Sequence, residues 1–301
     1  MWVLLLLIGA PRAQVCACAR SAVLPTGAVS RPGEVALSLD YGLSLSGDPD
    51  LFRGFHLRDR LGDSMAGMYM PPDLVQTWTA GATVGLPWSL QVSAELPWLS
   101  VNKLGESEMP GDVDTHSLGD LSAQLRWGHV PAHAWFVGVS IGPTFPTGVP
   151  RTGSIVRTGR GTMGITGQLQ AAWLFDPRAS LAASLSGADG FGRDENGYRL
   201  GANAQGALGV RFTPRENGRM GTSAYTMLRW QGRDAEDALV YENTGYLTHD
   251  LCLGLSWRLW ERGMRSATVS TRGILPLWQI VGDPMYAQNF AVQLNLAVVA
   301  R

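Results

Sequence analysis

Segments of about ten residues that alternate apolar and polar side chains, separated by turns, recur along most of this chain. A period of two gives a strand one apolar and one polar face. Between Leu118 and Gly128, Leu121, Ala123, Leu125 and Trp127 share one face and Asp120, Ser122, Gln124 and Arg126 the other. Between Trp135 and Phe145, Trp135, Val137, Val139, Ile141 and Phe145 oppose Gly138, Ser140, Gly142 and Thr144. Repeated at this length, the pattern predicts an all-β fold: a closed antiparallel transmembrane β-barrel, oily outside and wet inside.

Helical membrane proteins are excluded, because each span needs about 20 consecutive apolar residues. The hydrophobic fraction is 45% and the charged fraction 16%, yet the only continuous apolar run is Val3 to Ile8. That run reads as the core of a secretory signal, with cleavage after Ala13, Ala17 or Ala19. The expected organisation is a signal peptide over 1–19 and one barrel domain over 20–301. Val15 to Cys18 also loosely match a lipidation motif at Cys18. Three cysteines make no disulfide framework, and Cys252 falls on a polar strand face. A net charge of −1 gives no ground for a nucleic-acid partner, and no cofactor or metal is expected. Many of the 37 glycines lie inside strands, Gly201, Gly206 and Gly209 among them, where curvature or crowding tolerates a missing side chain.

About twelve strands are predicted, at 34–44, 74–85, 90–101, 117–128, 134–145, 161–175, 179–187, 198–212, 219–231, 247–260, 266–279 and 287–299. Long and short connections alternate, as in barrels with short periplasmic turns and longer extracellular loops, so both termini are expected in the periplasm. Trp98, Trp127, Trp135, Trp173, Trp230, Trp257 and Trp260 fall near strand ends, the place of aromatic girdles at the membrane interfaces. The alternative is a soluble β-sandwich capped by tryptophans. Many outer-membrane barrels end on an aromatic residue, whereas this chain ends Val298, Val299, Ala300, Arg301.

The segments GDLSAQLRW (Gly119 to Trp127) and VGVSIGPTFPTG (Val137 to Gly148), preceded by ELPW (Glu95 to Trp98), resemble the outer-membrane transporter family associated with meta-pathway phenol degradation. The resemblance covers about 34–175. It implies an outer-membrane barrel moving small, often hydrophobic or aromatic compounds. Gly119, Asp120, Pro146, Thr147 and Gly148 carry over as family-type positions with structural roles, at a strand start and a loop exit.

Catalytic strings are present but misplaced. Gly138 to Gly142 fits G-x-S-x-G, which requires a strand, a sharp turn and a helix; here it lies mid-strand. Gly159 to Gly164 fits G-x-G-x-x-G, yet precedes a strand rather than opening a helix. His129 and His133 flank Pro131 in a turn. A membrane-embedded lipid hydrolase needs an outward serine and histidine; His249 is the outward histidine, but position 251 is Leu. The chain is not expected to be an enzyme.

The expected chemistry is electrostatics in the lumen. Asp40, Glu95, Asp120, Arg126, Arg199, Arg211, Arg229, Asp250, Arg258 and Arg272 are the lumen-facing candidates. Rings of charge set selectivity, and opposite charges across a narrow lumen plug it. The function expected is a narrow or gated channel for small molecules in the outer membrane of a Gram-negative bacterium, with a structural or adhesive barrel as the alternative. Its partners would be outer-membrane lipid and lipopolysaccharide, a small-molecule solute and the barrel assembly machinery. Two loops add weaker signals. The first, with Arg53, Arg58 and Arg60 among Phe and Met residues, suits a lid or lipopolysaccharide contact, and the second, with Glu106, Glu108, Asp112, Asp114 and His116, suits solvation or a divalent cation.

The facing assignment predicts a contrast. Val139→Arg should cost about 2–4 kcal/mol if the residue lies at the bilayer midplane, whereas Arg126→Ala should change permeation and leave assembly intact. Denaturant titration of both variants in lipid vesicles measures this, and equal tolerance at the two positions contradicts the assignment.

Overall fold

The computed structural model describes residues 30–46, 57–59, 73–103, 115–132, 134–148, 159–176, 178–194, 197–213, 219–233, 235–236, 239–240, 245–262, 265–281 and 288–300. Twelve strands of 10 to 17 residues dominate. They are β1 (Val35–Ser46), β2 (Asp73–Leu86), β3 (Leu90–Lys103), β4 (Leu121–Ala132), β5 (Trp135–Phe145), β6 (Gly164–Asp176), β7 (Ala179–Gly190), β8 (Asn203–Phe212), β9 (Met220–Gln231), β10 (Tyr246–Arg262), β11 (Arg265–Val281) and β12 (Gln288–Ala300). Each pairs antiparallel with its neighbours in sequence. β1 also pairs with β12, from Val35↔Ala300 through Leu45↔Phe290, so the sheet closes on itself. The chain forms the expected all-β, closed, twelve-stranded antiparallel barrel. The segment expected to be a signal peptide, with Cys18, and most of the first two long loops lie outside the described residues.

The strand ends at Leu86/Leu90, Ala132/Trp135, Asp176/Ala179, Phe212/Met220 and Arg262/Arg265 gather at one end of the barrel, here called the short-turn end, and the remaining strand ends at the other. At the short end, Leu90 N–H donates to the Pro87 carbonyl at 3.3 Å, and Trp88 and Ser89 have φ of 59° and 60°. Positive φ at both central residues is the backbone of a two-residue hairpin turn whose twist matches the flanking strands.

The two faces differ as the alternation requires. Leu37, Ile141, Leu169 and Leu185 are more than half exposed on the outer face. Tryptophans Trp127, Trp135, Trp173, Trp257 and Trp260 project near the short-turn end and Trp98 and Trp230 near the other. Trp135 and Trp173, opposite one another in register, stack with centroids 5.6 Å apart.

Two predicted strands are interrupted. The segment expected at 117–128 divides into Thr115–Leu118, which runs beside the end of β3, and β4. The pairing shifts from Glu95↔Ser122 to Trp98↔Leu118, which inserts one extra residue at Gly119-Asp120. Pro97 lies opposite this bulge, where its missing N–H costs no ladder bond, and accepts from Gly119 N–H at 2.8 Å. The segment expected at 198–212 likewise divides. Tyr198–Arg199 leaves the wall for a small sheet with Ala235–Glu236 and Leu239–Val240, and Gly201 packs so closely that a Cβ there would lie 2.1 Å from the Gly232 carbonyl oxygen.

A close approach also fixes Gly142 on β5. The β4–β5 register passes from Ser122↔Thr144 to Leu125↔Ile141, and an added Cβ at Gly142 would lie 1.9 Å from the Ala123 carbonyl oxygen. Gly142→Ala should therefore destabilise the barrel by about 1–3 kcal/mol through overpacking. The temperature at which the folded gel band converts to the unfolded one should fall, and an unchanged temperature would show that β4 and β5 are not this close.

Candidate functional site

Alternation turns one residue in two inward, and on β3 to β6 these are mostly polar. Gln91, Ser93 and Glu95 on β3, Ser122, Gln124 and Arg126 on β4, Ser140 and Thr144 on β5, and Thr166, Gln168 and Gln170 on β6 are all buried. Beyond Phe136, β5 contributes little bulk, because Gly138 and Gly142 flank Ser140 on this face. Side chains of β4 and β6 therefore meet across it. Gln124 Nε2 donates to Thr166 Oγ1 at 3.2 Å, and Arg126 Nη2 donates to Gln170 Oε1. The ring of Phe136 occupies the space over Gly138, where a Cβ would come within 3.0 Å of it. The Arg126 guanidinium carbon lies 5.6 Å from the centroid of that ring. The G-x-S-x-G string is thus a shallow trough in the barrel wall, inside a strand that runs on to Phe145.

The other half of the lining has a different character. Ala182, Ala207, Tyr225, Met227, Cys252, Ile274 and Ala291 form an apolar cluster that runs over six successive strands, β7 to β12. β10, which carries Cys252, is six strands from β4 in the ring of twelve, so this band faces the polar wall across the lumen. One ion pair is set into it: Arg229 Nε donates to Asp250 Oδ2 at 2.6 Å, with both side chains almost fully buried and Thr248 Oγ1 3.4 Å from the same oxygen. Arg272 lies with its guanidinium carbon 5.5 Å from the Tyr225 ring centroid and donates to Gln293 Oε1 at 3.1 Å.

A clasp joins the long-loop ends of β4 and β5. Thr147 Oγ1 donates to the Gly119 carbonyl at 2.7 Å and accepts from Leu121 N–H at 2.8 Å. The fully buried Asp120 carboxylate accepts from Gly148 N–H at 3.1 Å and from Arg160 N–H at 2.6 Å. Gly148 and Gly159 meet backbone to backbone, since a Cβ on Gly148 would lie 2.6 Å from the Gly159 Cα. The family-type residues Gly119, Asp120, Thr147 and Gly148 thus come together in space and hold the two stems of one loop against the wall. Pro146 is exposed.

The ten charged residues singled out in the sequence separate into groups. Asp40, Glu95, Asp120, Arg126, Arg229 and Asp250 are buried in the phase that turns inward. Asp40 Oδ1 accepts from Asn295 Nδ2 at 2.6 Å. Arg211, Arg258 and Arg272 share that phase but are partly exposed, and Arg258 pairs with Glu261 at 2.6 Å near the short-turn end. Arg199 departs from expectation: it is exposed on the small separate sheet and pairs with Asp189 at 3.1 Å, because the strand it was assigned to breaks before β8 begins. Phe136, Gln170, Tyr225 and Asn295 are not among the sequence candidates, although the same alternation turns each of them inward. Arg160 lies on a loop, where period two gives no direction.

Other candidates resolve simply. His249 is on the outer face, where Thr226 Oγ1 shares a hydrogen bond with its Nε2 and Trp278 meets it edge-on. His129 is exposed and stacks on Trp127; His133 lies outside the described residues. Among the described residues no group of His, Cys, Asp and Glu could hold a metal ion.

An outer membrane channel from Pseudomonas putida F1 superposes with a TM-score of 0.70 at 13% identity, covering 93% of this chain and 100% of that one. The NanC porin matches with a TM-score of 0.49 at 8% identity, covering 88% and 99% of the two chains. The CymD monoaromatic hydrocarbon channel matches at 0.42 and 10%, covering 89% and 88%. At such identities the likeness to the first is one of fold. None of the curated proteins matches the sequence. A family model described as "Putative MetA-pathway of phenol degradation" matches residues 72–245, more than half of the 301 residues, and the chain belongs to that family.

Proposed function

We propose that this protein is a channel of the bacterial outer membrane with a narrow or gated lumen, passing small molecules that combine an apolar, often aromatic, part with a polar part. One observation carries the reading: the polar wall on β3 to β6 faces the apolar band on β7 to β12 inside a closed barrel. A solute with one greasy and one polar end can shed water on both sides at once, trading it for apolar contact on one side and hydrogen bonds on the other. The family description, which names phenol degradation, and the fold shared with an outer membrane channel support the same reading.

In this reading the inward charges Asp40, Glu95, Asp120, Arg126, Arg211, Arg229, Asp250, Arg258 and Arg272 set selectivity. The Arg229–Asp250 pair cancels its own charge and acts as a fixed polar spacer, which leaves Arg126, with no carboxylate within ion-pair distance among the described residues, as a net positive charge in the polar wall. A barrel of twelve strands lies between the filled eight-stranded ones and the open porins of sixteen or more, which favours a narrow path over a wide aqueous pore. Partners are outer-membrane lipid and lipopolysaccharide, the assembly machinery and the solute, and residues 1–19 serve as the export signal.

The test is uptake of a graded panel of solutes, from sugars through phenols to aromatic hydrocarbons, into liposomes with and without the purified protein, beside single-channel recording. Protein-dependent entry of phenols faster than of sugars of similar mass is expected. No protein-dependent flux of any solute would leave a structural or adhesive barrel, and calcium-dependent release of fatty acid from the vesicles would point to lipid hydrolysis instead.

A further inference from the structure

The Arg126 side chain differs from the other deeply buried arginine of the lining. Arg229 is matched by Asp250 at 2.6 Å. Arg126 is 4% exposed, spends Nη2 on Gln170, and keeps Nε and Nη1 enclosed with no hydrogen-bond partner. Among the described residues no carboxylate lies within ion-pair distance of it. Directly opposite in register is Ser140, also buried, whose Oγ has no hydrogen-bond partner either. A buried guanidinium without a counter-charge, beside an idle hydroxyl, is an arrangement that a protein interior disfavours unless something fills it.

We propose that Arg126, Ser140 and the Phe136 ring form a subsite within the lumen for the carboxylate end of a small aromatic acid. The proposal deepens the channel reading and rests on it for the route by which the acid arrives.

The chemistry follows from the donors. A carboxylate supplies the missing negative charge, and its two oxygens accept from an unpartnered guanidinium N–H and from the serine hydroxyl together. A single arginine balances a monoanion; a phosphate dianion would need a second cation, and here the neighbours Gln91, Gln168 and Gln170 are neutral. The aromatic preference comes from Phe136, whose ring tip reaches over Gly138 and whose centroid lies 5.6 Å from the guanidinium carbon, and from the apolar band across the lumen. A neutral alcohol of the same shape leaves Arg126 buried and unpaired, so the site discriminates by charge as well as by shape.

Equilibrium dialysis of radiolabelled benzoate against the detergent-solubilised, folded protein tests this without requiring an open channel. Benzoate should bind saturably at one site per barrel, and benzyl alcohol should compete at least tenfold more weakly. Arg126→Gln should weaken benzoate binding at least tenfold and Ser140→Ala by a smaller factor. Arg178→Gln, an exposed change at a short turn, should leave binding as in the parent, with folding of every variant confirmed by gel mobility before and after heating. Benzoate binding unchanged in a folded Arg126→Gln protein, or benzyl alcohol competing as well as benzoate, overturns the subsite even if liposome uptake bears out the channel. Saturable benzoate binding without any flux upholds the subsite and refutes the channel.

Discussion

Hydrogen bonding between β1 and β12 is the contact on which everything else depends. A strand in hydrocarbon has no water to satisfy an unpaired N–H or carbonyl, and each such group costs several kcal/mol. Eleven strand pairs made by sequence neighbours would still leave two bare edges. The pairing of Val35 to Leu45 with Phe290 to Ala300 removes both, although these residues stand at opposite ends of the chain. Only a closed wall can have one face that is oily all round and one that is wet, so the lumen and its chemistry exist because that last pair forms.

Closure also constrains how the wall bends. Where the ladder is interrupted, the chain uses residues that lose least. Pro97 faces a bulge where no donor is needed, and Gly119 and Asp120 supply the extra residue. Asp120 then accepts backbone N–H groups from Gly148 and Arg160, so the interruption is repaired by a side chain. The same economy governs β5. Gly138 and Gly142 add no bulk to the inner face, which lets Gln124 reach Thr166 and Arg126 reach Gln170 over the strand between them.

The lining is divided rather than uniform, and this division gives the proposed channel its character. The buried residues of β3 to β6 are mostly polar, whereas β7 to β12 carry the apolar cluster among polar residues that include Asn203, Gln205, Gln231 and the Arg229–Asp250 pair. A buried pair contributes little net stability, since the cost of removing both charges from water offsets their attraction. Its value here is positional: it holds Arg229 and Asp250 in place without leaving charge for a solute. Arg126, by contrast, keeps its charge available.

The sequence by itself determined the class of fold, the number of strands, the alternation of long and short connections and which residue of each pair turns inward. All of these follow from a period of two and from turn residues, which are local. Asp40, Glu95, Arg126, Arg229 and Asp250 could be placed on the inner face for that reason. What alternation cannot supply is which inward residues meet, because the partner lies on another strand at a register set by bulges. That Arg229 finds Asp250 while Arg126 does not find a carboxylate, that Thr147 closes on Gly119, and that Arg199 leaves the wall altogether were decided by tertiary structure. Each depends on strand register, loop stems or close glycine contacts between segments far apart in the chain, and a local pattern carries no information about those distances.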